Sequence, residues 1–449
     1  MAAPSGSDVI AAIATAQGRA AIGIVRVSGR NLHDFASRLL GAIPPARVAT
    51  RATFRKASGE PIDDGIALFF TAPASYTGED VLELQGHGGQ VVLQMVLRRC
   101  LELGARLAEP GEFSRRAFLN DKLDLTQAEG VADLIDAATE AAARSALRSL
   151  RGEFSERVRD FVRQLVELRT LVEASLDFPE DEVDPLDRQA IRERLLRLKN
   201  ELERSLSLGR RGSVLRDGLQ VVLAGQPNVG KSSLLNRLAG EELAIVTEHP
   251  GTTRDVVRQT IQIEGVPLNI IDTAGLRDTQ DAVEAIGIAR AWEAIGQADV
   301  MLLVVDARDG VSAADRAIAG RLPGKLTPVT VFNKIDLSGD EPRAEEKPQG
   351  WSVHVSAKTG AGIESLRQAL LKLAGWQPGG GEIFVARERH LVSLENVAAA
   401  LERASRSVPR TELFAEELRL AQRELDSITG EVTADDLLGE IFARFCLGK

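Results

Sequence analysis

The chain is short of several things at once. Its 449 residues include two cysteines, one tyrosine and three methionines, and aromatics make up only 4%. Cys100 and Cys446 lie far apart in sequence. That excludes a disulfide-stapled secreted scaffold and fits a reducing, cytoplasmic setting. No apolar run approaches the ~20 residues of a membrane span, so no spanning helix is expected. Positive charge is also scarce: 55 Lys and Arg face 65 Asp and Glu, for a net charge of -10 and a pI near 5.3. Proteins that coat DNA or RNA are normally basic, so action on nucleic acid would need a local patch or a partner. The 44% hydrophobic and 27% charged fractions exclude collagen, a coiled-coil rod and a disordered tail. The length gives a prior of about three domains. Val9 to Ala16 is apolar, but Asp8 opens it and nothing basic precedes it. The run therefore reads as a first β-strand rather than a signal-peptide core.

Residues 1–118 carry a mixed α/β pattern. Ala21 to Val27, Ile66 to Phe70 and Val81 to Gln85 are β-type runs, and Gln90 to Leu103 has helical spacing. Glu83 falls on the opposite face from Leu82 and Leu84. Long helices are expected over 119–214. Thr126 and Glu129 suggest a capping box. Val158, Phe161, Val162, Leu165, Leu168 and Val172 share one apolar face. Asp177 to Pro185 interrupts, a charged helix follows to about Leu208, and Arg210 to Gly218 reads as a linker. Residues 215–376 alternate β and α, with strands at Leu219–Ala224, Val256–Ile263, Val266–Ile271, Val300–Val305, Pro328–Phe332 and Ser352–Val355. This is the pattern of an open, mostly parallel sheet wrapped by helices. A hairpin at Glu264-Gly265 would make one strand antiparallel. Helices return over 377–449, with Leu413, Leu418, Ala421, Leu425 and Ile428 on one face. That tail is short for a core of its own and is expected to pack on the earlier helices. The α/β unit is then an insertion in one helical domain.

Gly225-Gln226-Pro227-Asn228-Val229-Gly230-Lys231-Ser232 fits G-x-x-x-x-G-K-[ST] between a strand and a helix. Glycines let backbone N–H groups face phosphates, Lys231 reaches the β- and γ-phosphates, and Ser232 supplies a hydroxyl to magnesium. Asp272-Thr273-Ala274-Gly275 follows a strand and places a carboxylate for magnesium and an N–H for the γ-phosphate. Thr252 and Thr253 precede it as switch residues. Asn333-Lys334-Ile335-Asp336 ends a later strand, where Asp336 can accept from guanine N1–H and its 2-amino group. Adenine lacks that donor pair, so the expected nucleotide is GTP. Ser356-Ala357-Lys358 can offer an N–H to guanine O6. Leu276 stands where signalling GTPases use a water-orienting Gln. Asn228 is either a turn former or, through its side-chain oxygen, a ligand for a hard cation.

These boxes, with Gly251-Thr252-Thr253-Arg254-Asp255 and the terminal Phe445-Cys446-Leu447-Gly448-Lys449, resemble the MnmE/TrmE family of tRNA modification GTPases. The likeness runs from Gly18-Arg19 to Lys449. It includes TGEDVLELQGHGG at 77–89 and AFLNDKLDL at 117–125. The resemblance implies an α+β, folate-binding N-terminal domain that dimerises, a central helical domain, and an inserted Ras-like, doubly wound P-loop GTPase domain. It implies a homodimer working with an FAD-dependent MnmG/GidA-like protein, as a heterotetramer or larger, with FAD and NADH on that partner. Together they would add an aminomethyl-type (carboxymethylaminomethyl) group at carbon-5 of the wobble uridine of certain tRNAs. The one-carbon donor would be 5,10-methylene- or 5-formyl-tetrahydrofolate.

The resemblance also assigns residues. The nucleotide site comprises Asn228, Val229, Gly230, Lys231, Ser232 and Ser233; the loop Thr247, Glu248, His249, Pro250, Gly251, Thr252 and Thr253; Asp272, Thr273, Ala274 and Gly275; and Asn333, Lys334, Asp336, Ser356, Ala357 and Lys358. Potassium would be held by Asn228, Thr247, His249 and Thr252, and magnesium by Ser232 and Thr253. Glu284, otherwise a helix-surface acid, matches the group that orients the attacking water. Arg26, Glu83, Lys122 and Lys449 match folate-binding positions. Glu83 has a reason of its own, since a pterin presents the same donor pair as guanine. From pattern alone Glu83 could equally face solvent, and Arg26 and Lys122 could be surface cations. Cys446 sits four residues from the end, but Gly448 and Lys449 do not fit a prenylation signal. The alternative is a buried thiol, whereas the resemblance places it near the folate and makes it necessary for modification. Two other functions compete: a ribosome-assembly GTPase binding rRNA, which normally carries a basic domain after the G domain, and a folate enzyme with a vestigial switch, against which the complete set of boxes argues.

Overall fold

The computed structural model describes residues 8–16, 18–177, 185–240, 258–272, 295–296, 298–324, 326–376, 383–407, 411–431, 435–443, 445 and 448. The chain divides into two compact units, one of Met1–Ala132, Leu150–Pro179 and Arg410–Lys449, the other of Asp133–Ser149 and Glu180–Pro409.

The first unit is built on a six-stranded sheet of β1 (Ile10–Ile13), β2 (Ile22–Gly29), β3 (Thr50–Arg55), β4 (Pro61–Phe70), β5 (Asp80–His87) and β6 (Arg106–Leu107). The order is β3-β4-β5-β2-β1-β6, antiparallel except for the β1–β6 pair. The apolar Val9–Ala16 run therefore does supply a strand. Val25, Val27, Leu82 and Leu84 point to one face and pack with residues of α1 (His33–Leu40) and α2 (Gln90–Glu102). The opposite face meets α3 (Glu112–Leu119), whose Phe113 packs on Ile10 and Ala12. There Arg116 is buried between Glu79 at 2.9 Å and Glu112 at 3.0 Å, so each charge is compensated. α4 (Leu125–Asp136) is capped by Asp124, not by Thr126 and Glu129. Asp124 Oδ1 accepts from the Gln127 amide at 2.9 Å, and Gln127 Oε1 accepts from the Asp124 amide at 3.0 Å. The same D-x-x-Q box lies two residues earlier, and Thr126 is buried against Ser155 instead. The apolar stripe of α6 (Glu153–Asp177) packs with α13 (Thr411–Thr429), and Arg169 donates to Gln422 at 2.6 Å. The buried stripe of α13 begins at Phe414; Leu413 is exposed, because 414, 418, 421, 425 and 428 keep the 3.6-residue period. α14 (Asp435–Ala443) packs Leu438, Ile441 and Phe442 on Leu125 and Ala128.

The second unit carries a seven-stranded sheet: β7 (Leu219–Ala224), β8 (Arg258–Ile263), β9 (Val266–Asp272), β10 (Val300–Asp306), β11 (Thr327–Asn333), β12 (Arg343–Lys347) and β13 (Gly350–His354). Its order is β12-β13-β11-β10-β7-β9-β8. The five inner strands are parallel and the two edges antiparallel. Glu264 and Gly265 form the expected hairpin turn, both at positive φ. β12 escapes a sequence reading because all five residues are exposed and four are charged, as befits a protected edge. Among the described residues the named helices of this unit are α5 (Glu140–Leu150), α7 (Pro185–Asp217), α8 (Lys231–Ala239), α9 (Ala313–Ala319), α10 (Ile335–Ser338), α11 (Ile363–Leu373) and α12 (Glu388–Ser407). α7 pairs with α12, where Lys199 meets Glu402. Thr139 caps α5 by accepting from the Ala142 amide at 3.1 Å and donates its hydroxyl to the Gly265 carbonyl at 2.8 Å.

The linker expected over Arg210 to Gly218 is instead the last turns of α7, which continues to Asp217. Its Leu215 is 2% exposed in the core of the α/β sheet. Gly212 is there for contact: a Cβ would collide with the Phe384 carbonyl oxygen. Within the stretch read as a linker, Gly212 is where a second backbone approaches the helix. Among the described residues no helix is long and apolar enough to cross a membrane.

Candidate functional site

The crevice at the carboxyl ends of β7, β10 and β11 is the position expected for a ligand in such a sheet, where the strand order reverses around β7. The loop Gly225–Gly230 leaves β7 and enters α8 with Gly225, Asn228 and Gly230 at positive φ. Gly230 cannot be replaced, since a Cβ would lie 2.5 Å from Asn333 Nδ2. The loop carbonyls are taken up by side chains. Lys231 Nζ donates to Gly225 O at 2.7 Å and Gln226 O at 3.0 Å; Lys334 Nζ donates to Asn228 O at 2.8 Å; Asn333 Nδ2 donates to Val229 O at 2.9 Å. Among the described residues, the amides of Gln226, Asn228, Val229 and Gly230 donate to no backbone carbonyl. This leaves the loop a set of unspent N–H donors, the requirement for a phosphate cradle.

Asn333 is the hinge of the base site. It is buried, and while its Nδ2 holds the phosphate loop, its Oδ1 accepts from the Ala357 amide at 3.0 Å. Ser356 donates its hydroxyl to Asp336 Oδ1 at 2.6 Å and so orients that carboxylate. The Ser356 amide donates to Ala361 O. Of the three amides offered to guanine O6 by the sequence, that of Lys358 is then the one without a partner among the described residues. A cavity of about 790 Å³ opens here, lined by Gly230, Ser233, Asn333, Lys334, Asp336 and Lys358 among others. Two supports were invisible in the sequence. Arg237 of α8 donates to the Ala357 and Lys358 carbonyls at 3.1 and 2.7 Å. Arg308 and Lys334 flank Asp306 at 2.8 and 3.0 Å and hold its carboxyl well below the ordinary carboxylate range. Arg237 lies six residues beyond Lys231, off its face of the helix, and nothing local marks Asp306.

A second cluster lies on the α3 side of the N-terminal sheet. Arg26 on β2 and Glu83 on β5 are cross-strand partners. Arg26 Nε and Nη2 both meet Glu83 Oε1, at 3.0 and 2.8 Å. The guanidinium carbon lies 5.8 Å from the ring centres of Tyr76 and Phe113, a cation–π arrangement. Arg26 Nη1 also donates to the Gly448 carbonyl at 3.3 Å. The Tyr76 hydroxyl, pushed up by burial, bonds Ser114 at 2.8 Å. Lys122 is exposed, with its stem against Gly78 of the neighbouring loop. Glu83 is thus neither in the core nor an open surface acid. Tyr76 and Phe113 were not singled out from sequence, although Tyr76 is the chain's one tyrosine. Burial pushes the Cys100 thiol up to about 12, which leaves it inert.

Thr247, Glu248, His249, Pro250, Gly251, Thr252, Thr253, Thr273, Ala274, Gly275, Glu284, Cys446 and Lys449 lie outside the described residues, as do Leu276 and the side chain of Asp272.

A doubly wound sheet with this phosphate loop and base site defines a P-loop GTPase, here accompanied by a mixed-sheet domain and flanking helices. Residues 9–122 match the family model of the GTP-binding protein TrmE N-terminus, and 125–446 match that of the MnmE helical domain. The chain is 59% identical over 447 residues to the tRNA modification GTPase MnmE of Dechloromonas aromatica, covering 99% of this chain and 100% of that protein. It is 58% identical to that of Nitrosomonas europaea, covering 99% of each. The chain belongs to the MnmE/TrmE family of tRNA modification GTPases. Among solved structures, Era of Aquifex aeolicus bound to GDP.AlF4- matches at 27% identity with a TM-score of 0.27, over 40% of this chain and 66% of that one.

Proposed function

We propose that this GTPase works on the wobble uridine. With an FAD- and NADH-using MnmG/GidA-like partner it would add a carboxymethylaminomethyl-type group at carbon-5, taking one carbon from a tetrahydrofolate bound at the Arg26–Glu83 cluster. The observation that carries this reading is the cross-strand pair itself: a carboxylate on an aromatic-walled sheet face, far in sequence from the nucleotide site. Glu83 Oε2 has no hydrogen-bond partner among the described residues, so it can accept a pterin N–H. Acceptance through both oxygens requires Arg26 to release Oε1. Lys122 and Lys449 would hold the anionic end of the folate. The folate supplies an activated one-carbon unit when bound. The N-terminal domain would form the homodimer, and Cys446 would act near the folate.

At the nucleotide site, Asp336 selects guanine, Lys231 neutralises the phosphates, and Glu284 holds the attacking water. Val229, Gly230 and Ser233 complete the phosphate contacts, with the loop 247–253 and Thr273 to Gly275 around the γ-phosphate. The metal sites can be tested on the residues described. Ser232 presents an exposed hydroxyl on the first turn of α8, with no partner among the described residues, a fit for magnesium with Thr253. Asn228 is exposed and its carboxamide likewise has no partner, a fit for potassium with Thr247, His249 and Thr252. A monovalent cation there supplies the positive charge that an arginine finger supplies elsewhere. The reading is tested by mass spectrometry of wobble nucleosides from a strain lacking the gene. Loss of the carbon-5 substituent is expected; undiminished substituent would refute it.

A further inference from the structure

Position 226 is an unspecified residue of the phosphate-loop pattern, yet its side chain is committed. The Gln226 carboxamide donates from Nε2 to Ser312 Oγ at 2.9 Å and to Asp315 Oδ2 at 3.1 Å. These two residues form the capping box of α9. Ser312 Oγ accepts from the Asp315 amide at 3.2 Å, and Asp315 Oδ2 accepts from the Ser312 amide at 3.0 Å and its hydroxyl at 2.7 Å. Asp315 is 2% exposed and its Oδ1 is buried without a partner. Burial alone would raise this carboxyl, but the donors from Ser312 and Gln226 hold it below its ordinary value. Gln226 therefore ends on a fixed, buried anion that is already fastened to a helix.

The remaining bonds to the loop act on its carbonyls, including Lys231 on the Gln226 carbonyl at 3.0 Å. Gln226 is thus gripped twice, by its carbonyl from Lys231 and by its carboxamide from the α9 cap. Turning its peptide would break one grip or the other. That peptide opens the stretch whose N–H groups face phosphates.

We propose that Gln226 is a positioning residue of the GTP site: by pinning the first turn of the phosphate loop to Ser312 and Asp315, it sets the shape of the phosphate cradle before nucleotide binds. It touches no phosphate itself. Loop amides of this kind meet phosphates that GTP and GDP share, so both nucleotides depend on it.

The test uses the full chain, with dissociation of a fluorescent GDP analogue, equilibrium titration of GDP and GTP, and steady-state hydrolysis. Gln226→Ala is expected to weaken GDP and GTP together by about tenfold, equivalent to about 1.4 kcal/mol, through faster dissociation. KM should rise more than kcat falls. Gln226→Glu sets a second carboxylate against the buried Asp315 and should weaken binding further, by about a hundredfold. Adding Asp315→Asn to Gln226→Glu restores a donor–acceptor pair and should recover most of that loss, a coupling that independent sites do not show. Wild-type affinity in both single variants would overturn the proposal. So would a loss in Gln226→Glu that Asp315→Asn fails to recover, or a fall in kcat at unchanged affinity.

Discussion

The nucleotide site and the Arg26–Glu83 cluster are constructed in opposite ways. The first is made of loops at the ends of parallel strands, and much of its chemistry is backbone. Such a site demands glycines at positive φ and fixed spacing, so it leaves contiguous motifs. The second is made of side chains standing on one face of an antiparallel sheet. Arg26 and Glu83 are 57 positions apart and meet only through the β2–β5 register. Phe113 and Gly448 come from two further segments. A backbone site is written in motifs; a side-chain site is written in register.

The comparison sharpens first at the nucleotide site, where the largest effect is expected. Leu276 stands in place of a water-orienting Gln and no arginine finger is identifiable from the sequence; the charge such a finger supplies is worth about 10³–10⁵ in rate. If Asn228 and the loop 247–252 hold potassium, hydrolysis is fast in potassium and slow in sodium at equal ionic strength. It should also accompany G-domain dimerisation. Asn228→Ala should lose the potassium response with limited loss of GTP binding, while Glu284→Ala should dimerise yet hydrolyse poorly. Equal rates in the two salts would return Asn228 to a turn former.

Next in size is base selection. Asp336→Asn turns one acceptor into a donor. Two charge-assisted bonds, each about 1.5–3 kcal/mol, correspond to about 10²–10⁴ in GTP affinity, with xanthine nucleotides favoured in return. A nucleotide titration reads this directly, and unchanged GTP affinity would remove Asp336 from the base site.

Smaller again is a test of how the α/β sheet is joined to its helix. Leu215→Ala should cost about 2–5 kcal/mol in urea unfolding, as a core truncation does. A change within about 0.5 kcal/mol, typical of surface positions, would restore the linker reading of Arg210 to Gly218.

The linker illustrates what the sequence concealed. Gly212 and Ser213 look like loop residues, but a close-packed backbone also selects glycine, as at Gly212, and local composition does not separate the two. β12 has no apolar alternation because it is an exposed edge. The helical stripe was readable at α6, whereas at α13 it was off by one residue, since Leu413 and Phe414 are both apolar and only packing chooses. The capping box of α4 was displaced because Asp124 and Gln127 fit the pattern as well as Thr126 and Glu129. In the sites, Glu83's departure from its apolar neighbours was legible through period two. Its pairing with Arg26 was not, nor were the Tyr76 and Phe113 walls, because register is decided by the whole sheet. Gln226 is silent for another reason: its partners Ser312 and Asp315 follow β10, brought beside the phosphate loop by strand order alone.

The central claim is that the sheet cluster takes a folate while a separate site takes GTP. Calorimetric titration of 5-formyl-tetrahydrofolate into Glu83→Ala, with GTP affinity measured on the same sample, tests it most directly. The loss of two charge-assisted bonds at about 1.5–3 kcal/mol each predicts folate binding weakened by about 10²–10⁴, with GTP affinity unchanged. Wild-type folate affinity in that variant would contradict the account.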